Sequence, residues 1–76
     1  MNNMIEKKLN EYREELEELS NNDVLFEYDF VCNEVEKFRR LTKDNPDNEH
    51  FQKRFDYERQ AKVICEEECL KRMGGK

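Results

Sequence analysis

The 76-residue sequence predicts an all-α fold: a small antiparallel bundle of three helices, or a long helical hairpin if the first two run together. Three observations carry that expectation. Apolar residues recur at helical steps in three successive segments. One cluster of breaking residues, Lys43 to Glu49 (KDNPDNE), divides the second half of the chain. Both glycines lie at the extreme C-terminus, at Gly74 and Gly75, so no internal glycine interrupts the pattern. In this reading residues 1–76 form one helical domain, coiled-coil-like and able to self-associate.

The first helix is expected from about residue 3 to residue 20. Ile5, Leu9, Tyr12, Leu16 and Leu19 advance in steps of 4, 3, 4 and 3, the a/d spacing of a coiled-coil seam. Glu14, Glu15, Glu17 and Glu18 crowd its C-terminal half, where the helix dipole favours cations instead. Such a helix is weak alone and needs packing. Ser20, Asn21, Asn22 and Asp23 are turn and cap residues, so a break is expected here, with Asn21 or Asn22 capping the next helix. The rival reading continues the helix straight through.

The second helix, from about 23 to 43, is the most apolar stretch. At ~100° per residue, Val24, Tyr28, Val31, Val35 and Phe38 form one narrow stripe, flanked by Leu25 and Cys32. Phe26, Phe30 and Leu41 fall on nearly the opposite face. A surface helix normally shows one apolar stripe. Two stripes imply either a central helix with neighbours on both sides or a helix shared with a partner.

Pro46 pushes the residue before it out of helical conformation, ending the second helix by about Lys43. Asn45 then reads as the N-cap of a third helix from about 46 to 73, with Pro46 at its first position. So short a link makes helices 2 and 3 antiparallel neighbours. The inward arc of the third helix is Phe51, Phe55, Tyr57, Ala61, Ile64 and Cys65, with Cys69 at its margin. Glu58–Lys62, Glu67–Lys71 and Glu68–Arg72 are i,i+4 pairs in the favourable order, each worth ~0.2–0.5 kcal/mol. Residues 74–76 read as a frayed tail.

Composition narrows the functional classes. Only 36% of the residues are apolar and 43% are charged, so the core is thin. A domain of this size keeps only ~3–5 kcal/mol from a single core, and self-association is one way to complete it. The net charge of −5 disfavours a general nucleic-acid or anionic-membrane binder, because both need a positive footprint. No apolar run approaches the ~18 residues of a membrane span, and no signal-peptide core follows the first charges. Three cysteines without an export signal point to free thiols and a cytoplasmic setting.

Chemistry-bearing constellations are sparse. Cys65 and Cys69 stand one helical turn apart, and zinc would require Cys32 and His50 to join them. Across an antiparallel turn near residue 45, Cys32 lies level with Glu58, ~10 Å below Cys65, and His50 lies ~22 Å from Cys65. These four cannot share a metal within one chain. The thiols therefore read as small buried hydrophobes, with a Cys65–Cys69 or interchain disulfide as the remaining alternative. His50 has no nucleophile and oxyanion site arranged around it in the sequence, and there is no glycine-rich loop. No enzyme activity, metal or cofactor is expected.

Charge is unevenly spread. Residues 1–23 carry seven acids and three bases (−4), residues 24–46 five and four (−1), and residues 47–76 seven of each. In an up-down-up bundle one pole gathers Lys7, Lys8, Lys37, Arg39, Arg40, Lys43, Lys53 and Arg54. The other gathers Glu14, Glu15, Glu17, Glu18, Asp23, Glu27, Asp29, Glu66, Glu67 and Glu68. Cations at the end of helix 2 complement its dipole, and the same pole could dock a charged partner.

The sequence is thus expected to encode a small acidic regulatory, adaptor or inhibitor-type module that binds protein, with a homodimer as one form. Its contact residues would be Phe26, Phe30 and Leu41, since aromatic residues anchor interfaces. The alternative is a nucleic-acid-associated factor using Arg39, Arg40, Lys43, Lys53 and Arg54. Abundant Asn, Lys and Glu with little Gly and Pro fits a bacterial or phage protein.

Overall fold

A computed structural model describes residues 3–74, which form three helices and the two links between them. They are α1 (Asn3–Glu18), α2 (Asn21–Asp44) and α3 (Glu49–Gly74), with no strand among the described residues. The break between the first two helices is present. Its cap is Ser20, one residue before the asparagines expected to serve. Ser20 is extended (φ −67°, ψ 165°), and its Oγ accepts from the Asp23 N–H at 3.2 Å. A serine oxygen there satisfies a donor that the first helical turn leaves without a partner. Adopting this conformation also ends α1 at Glu18 rather than Ser20.

The second link departs from expectation more clearly. Asn45 does not open α3; it closes α2. Its N–H and its side-chain Nδ2 both donate to the Leu41 carbonyl at 2.9 Å. Asn45, Pro46, Asp47 and Asn48 then form a tight turn, closed by the Asn48 N–H on the Asn45 carbonyl at 3.0 Å. Proline suits the second position of such a turn. Asn48 caps α3 instead: its Oδ1 accepts from the Phe51 N–H at 3.1 Å, and its carbonyl accepts from the Gln52 N–H. The third helix therefore starts at Glu49, three residues later than Pro46. At the other end Gly74 is still helical, and the rest of the expected frayed tail lies outside the described residues.

The topology is up-down-up. α2 and α3 run antiparallel in the expected register, with the Cys65 thiol 3.9 Å from the Val24 carbonyl near one end and the Phe38 and Phe51 rings 6.4 Å apart near the other. The seam of α1 faces inward, with Leu9 and Leu16 buried and Ile5, Tyr12 and Leu19 half-buried. These meet Val24 and Val31 of α2 and Ala61, Ile64 and Cys65 of α3 in one core. Val35 and Phe38 continue the buried stripe of α2 toward the Asn45 turn.

The central helix is α3, not α2. α3 packs extensively on α2 and, on another side, on α1, whereas α1 and α2 approach only sparsely. The reason lies in the width of the inward arcs. The buried residues of α3, Ile64, Glu68, Ala61, Cys65 and Glu58, spread over ~120° at ~100° per residue, with Tyr57 half-buried on the α1 side and Phe51 and Cys69 on the α2 side. Those of α2, Val24, Val31, Val35 and Phe38, stay within ~60°. Phe26 and Phe30, on the second apolar side of α2, consequently stay exposed.

Candidate protein-interaction surfaces

On that uncovered side Phe26 is 74% exposed and Phe30 56% exposed. Leu41 is half-buried. At ~100° per residue it stands ~60° closer to the buried stripe than Phe26 does, and the α2–α3 turn begins four residues beyond it. The three residues grouped in the sequence are therefore divided by the fold into two open phenylalanines and one partly covered leucine. Phe30 also borders a shallow recess with Tyr12, Glu27, Val31, Tyr57, Glu58 and Ala61, where the three helices meet. In it the Tyr12 hydroxyl donates to Glu27 Oε2 at 2.9 Å. Burial, and then this carboxylate, push the Tyr12 pKa upward, so the phenol keeps its proton and serves as a tie between α1 and α2.

The five cations of the expected docking pole divide as well. Arg54 is engaged within the fold: its guanidinium lies 2.8 Å from Glu58, 4.0 Å from Glu34 and 5.0 Å from the centre of the Phe38 ring. Glu58 itself is buried and pairs with Arg54 on the preceding turn. In the sequence it had been matched with Lys62. Arg39 pairs with Glu36 at 3.5 Å. Arg40, Lys43 and Lys53 are exposed and make no ion pair among the described residues. Lys53 lines an open cleft with Ile5, Lys8, His50, Arg54 and Tyr57, at the pole where α1 and α3 begin. All five cations are exposed, but only Arg40, Lys43 and Lys53 are without an ion pair among the described residues.

Sequence reasoning missed a cluster at the opposite pole. Glu68 is buried, and it accepts from Arg72 Nε at 2.7 Å and from Lys71 at 3.2 Å. Arg72 in turn donates to the Leu16 carbonyl at 2.8 Å, the Glu17 carbonyl at 3.3 Å and Asn21 Oδ1 at 2.9 Å. One guanidinium therefore caps the C-terminus of α1, which has no basic residue of its own in its last turn. The signal was visible in principle. Four glutamates at a helix end require a cation from elsewhere, and Arg72 lies at that pole.

The same register sets Cys32 apart from Cys65, which lies level with Val24, whereas Cys65 and Cys69 are neighbours one turn apart on α3. Cys65 is fully buried, and burial, with Cys69 next, pushes its pKa up to about 11. A thiol so disposed packs as an apolar group and is a poor nucleophile. Cys32 and Cys69 are half-buried, and Cys32 beside Tyr28 raises the tyrosine's pKa. His50 is exposed in the first turn of α3, its ring 6.1 Å from that of Phe51. Among the described residues no three His, Cys, Asp or Glu side chains are grouped to hold a metal ion, and no helix is long and apolar enough to cross a membrane. Comparison with protein-family models, curated proteins and solved structures finds no match.

Proposed function

We propose that this chain is a non-enzymatic protein-interaction module of regulatory, adaptor or inhibitor type, and that it docks through the outer face of α2. The observation that carries this reading is the exposure of Phe26 and Phe30 on a helix whose other side is fully packed. Two aromatic rings held open on a rigid helix cost little conformational entropy to bury, the usual property of interface anchors. Leu41 extends the same side toward the α2–α3 turn and adds a smaller contact. The test uses the full chain as bait, with and without Phe26→Ser and Phe30→Ser together. Because both side chains are exposed, helicity should be retained while binding of the partner protein is lost. Equal capture by both baits would refute the reading.

A second reading has its own observation. The cleft lined by Lys8, His50, Lys53 and Arg54 contains no carboxylate among its lining residues, which suits a phosphate-bearing partner such as nucleic acid. Phosphate binding weakens steeply with salt, whereas docking through phenylalanines barely changes. Lys8 and Lys53 of this cleft changed together to Glu should abolish nucleic-acid retention if this reading is correct. Retention unchanged by those substitutions would remove it.

A further inference from the structure

We propose that the groove between α1 and α2 receives a basic amphipathic helix of a partner protein, laid against Phe30 and Phe26 at the corner opposite α3. The inference rests on the docking reading above and names the chemistry of its partner. α3 packs on α1 and on α2 along two sides of its buried arc, while α1 and α2 approach each other only sparsely. That is the relation of diagonal helices in a four-helix bundle, which meet their neighbours and not each other. Here the groove has α3 as its floor, at Tyr57 and Ala61, with Tyr12 of α1 and Phe30 of α2 on its walls. The hydrogen bond from the Tyr12 hydroxyl to Glu27 bridges the two walls. α1 has 16 residues, so the groove runs for ~24 Å at 1.5 Å per residue, enough for four turns of a further helix.

Charge selects the occupant. Residues 14–36 include nine acids and no Lys or Arg. On the α1 wall, Glu15 lies ~60° from Tyr12, on the side away from Leu9, with Glu11 beyond it. Burial and then Glu58 raise the Tyr57 pKa, and Glu15 and Glu11 add to the rise, so both carboxylates act on the groove floor. On the α2 wall, Asp23 and Glu27 lie within ~60° of Phe30. None of these four carboxylates makes an ion pair among the described residues. The neighbouring cations are at the two ends of the groove. Arg72 is committed to Glu68 and the end of α1, Arg54 to Glu58 and Glu34, and only Lys8 is unpaired. Lys37, Arg40 and Lys43 lie beyond the groove. Cys65 is level with Val24, which sets Tyr57, and Ile5 beside it, level with Cys32, five residues before Lys37. A helix with Lys or Arg along both edges of an apolar stripe answers both walls. An acidic or uncharged one would desolvate the four carboxylates without partners.

The test titrates the full chain into a dye-labelled ~18-residue peptide of leucine and lysine, its leucines at i, i+3, i+4 and i+7, read by fluorescence anisotropy. A twin peptide carries glutamate in place of lysine. The native chain should bind the lysine peptide about tenfold or more tighter than the twin. Glu11→Lys with Glu15→Lys, and separately Phe26→Ser with Phe30→Ser, should each weaken that binding about tenfold or more. Asp56→Lys with Glu67→Lys changes the net charge equally, at exposed positions on the side of α3 away from the groove, and should alter binding no more than about twofold. Circular dichroism of each variant confirms that its helices remain. A native chain that binds neither peptide, or one that loses the lysine peptide as readily through Asp56 and Glu67 as through Glu11 and Glu15, overturns the inference. Equal binding of both peptides that still depends on Phe26 and Phe30 overturns the basic partner alone. A lysine peptide held equally after Phe26→Ser with Phe30→Ser overturns the docking reading too. A chain that self-associates above 9.4 kDa through these phenylalanines and excludes the peptide puts a second copy in the groove and overturns the inference as well.

Discussion

Arg72 connects more of this molecule than any other single side chain, because its guanidinium joins the end of α1, the start of α2 and a buried carboxylate of α3. Arg72→Ala should therefore destabilise the fold by ~1.5–3 kcal/mol, the range for hydrogen bonds to charged groups, measured by urea unfolding. Arg72→Lys should recover only part of this, since one ammonium cannot span Glu68 and two carbonyls. A loss typical of a surface pair would show that the cap is not formed. Glu68 supplies a pH signature. Arg72 beside it, with Lys71, holds its carboxyl below the ordinary range against the opposing effect of burial. The folded chain thus binds that proton less readily than the unfolded chain. Its stabilisation is present above the ordinary carboxylate range and is lost as pH falls through the depressed value. Unfolding followed from neutral pH into acid should show this loss, and Glu68→Gln should flatten it. In the sequence, Glu68–Arg72 looked like one i,i+4 pair among several. Spacing reveals which residues share a helical face, but not that the face is buried against another helix terminus.

The helices themselves were legible, and their ends less so. The 4-3-4-3 steps of α1 and the narrow stripe of α2 follow directly from what the core must bury, so leucines 9 and 16 and valines 24, 31 and 35 occupy the expected positions. The ends are decided by single hydrogen bonds among several eligible residues, and Ser20, Asn21, Asn22, Asn45 and Asn48 were all eligible. Proximity to Pro46 favoured Asn45 as the cap of α3, but Asn45 turns back on Leu41 and Asn48 takes the role. The two asparagines can be separated by mutation. Asn48→Ala should cost ~1 kcal/mol, as expected for a lost N-cap. Asn45→Ala should cost no more than ~0.5 kcal/mol, because its backbone N–H already donates to the same carbonyl as its side chain. Thermal unfolding of both variants checks the order, and the reverse order would mean that α3 begins at Pro46. The central place of α3 was not legible at all. Its mixed pattern hides a wide inward arc, interrupted by Glu58 and Glu68, which are buried only because Arg54 and Arg72 reach them.

At the scale of the whole molecule, a small charged chain closes its core with α3 in the middle and leaves Phe26 and Phe30 of α2 exposed. The apolar stripe that α2 shares with the rest of the chain explains the fold. The stripe that it does not share, Phe26 and Phe30, is the basis of the functional proposal. The claim that this face docks a protein is tested most directly by partner binding to the native chain beside binding to Phe26→Ser with Phe30→Ser. The native chain should retain its partner protein, while the double variant, equally helical, loses it. Equal retention of the partner by the two proteins would contradict it.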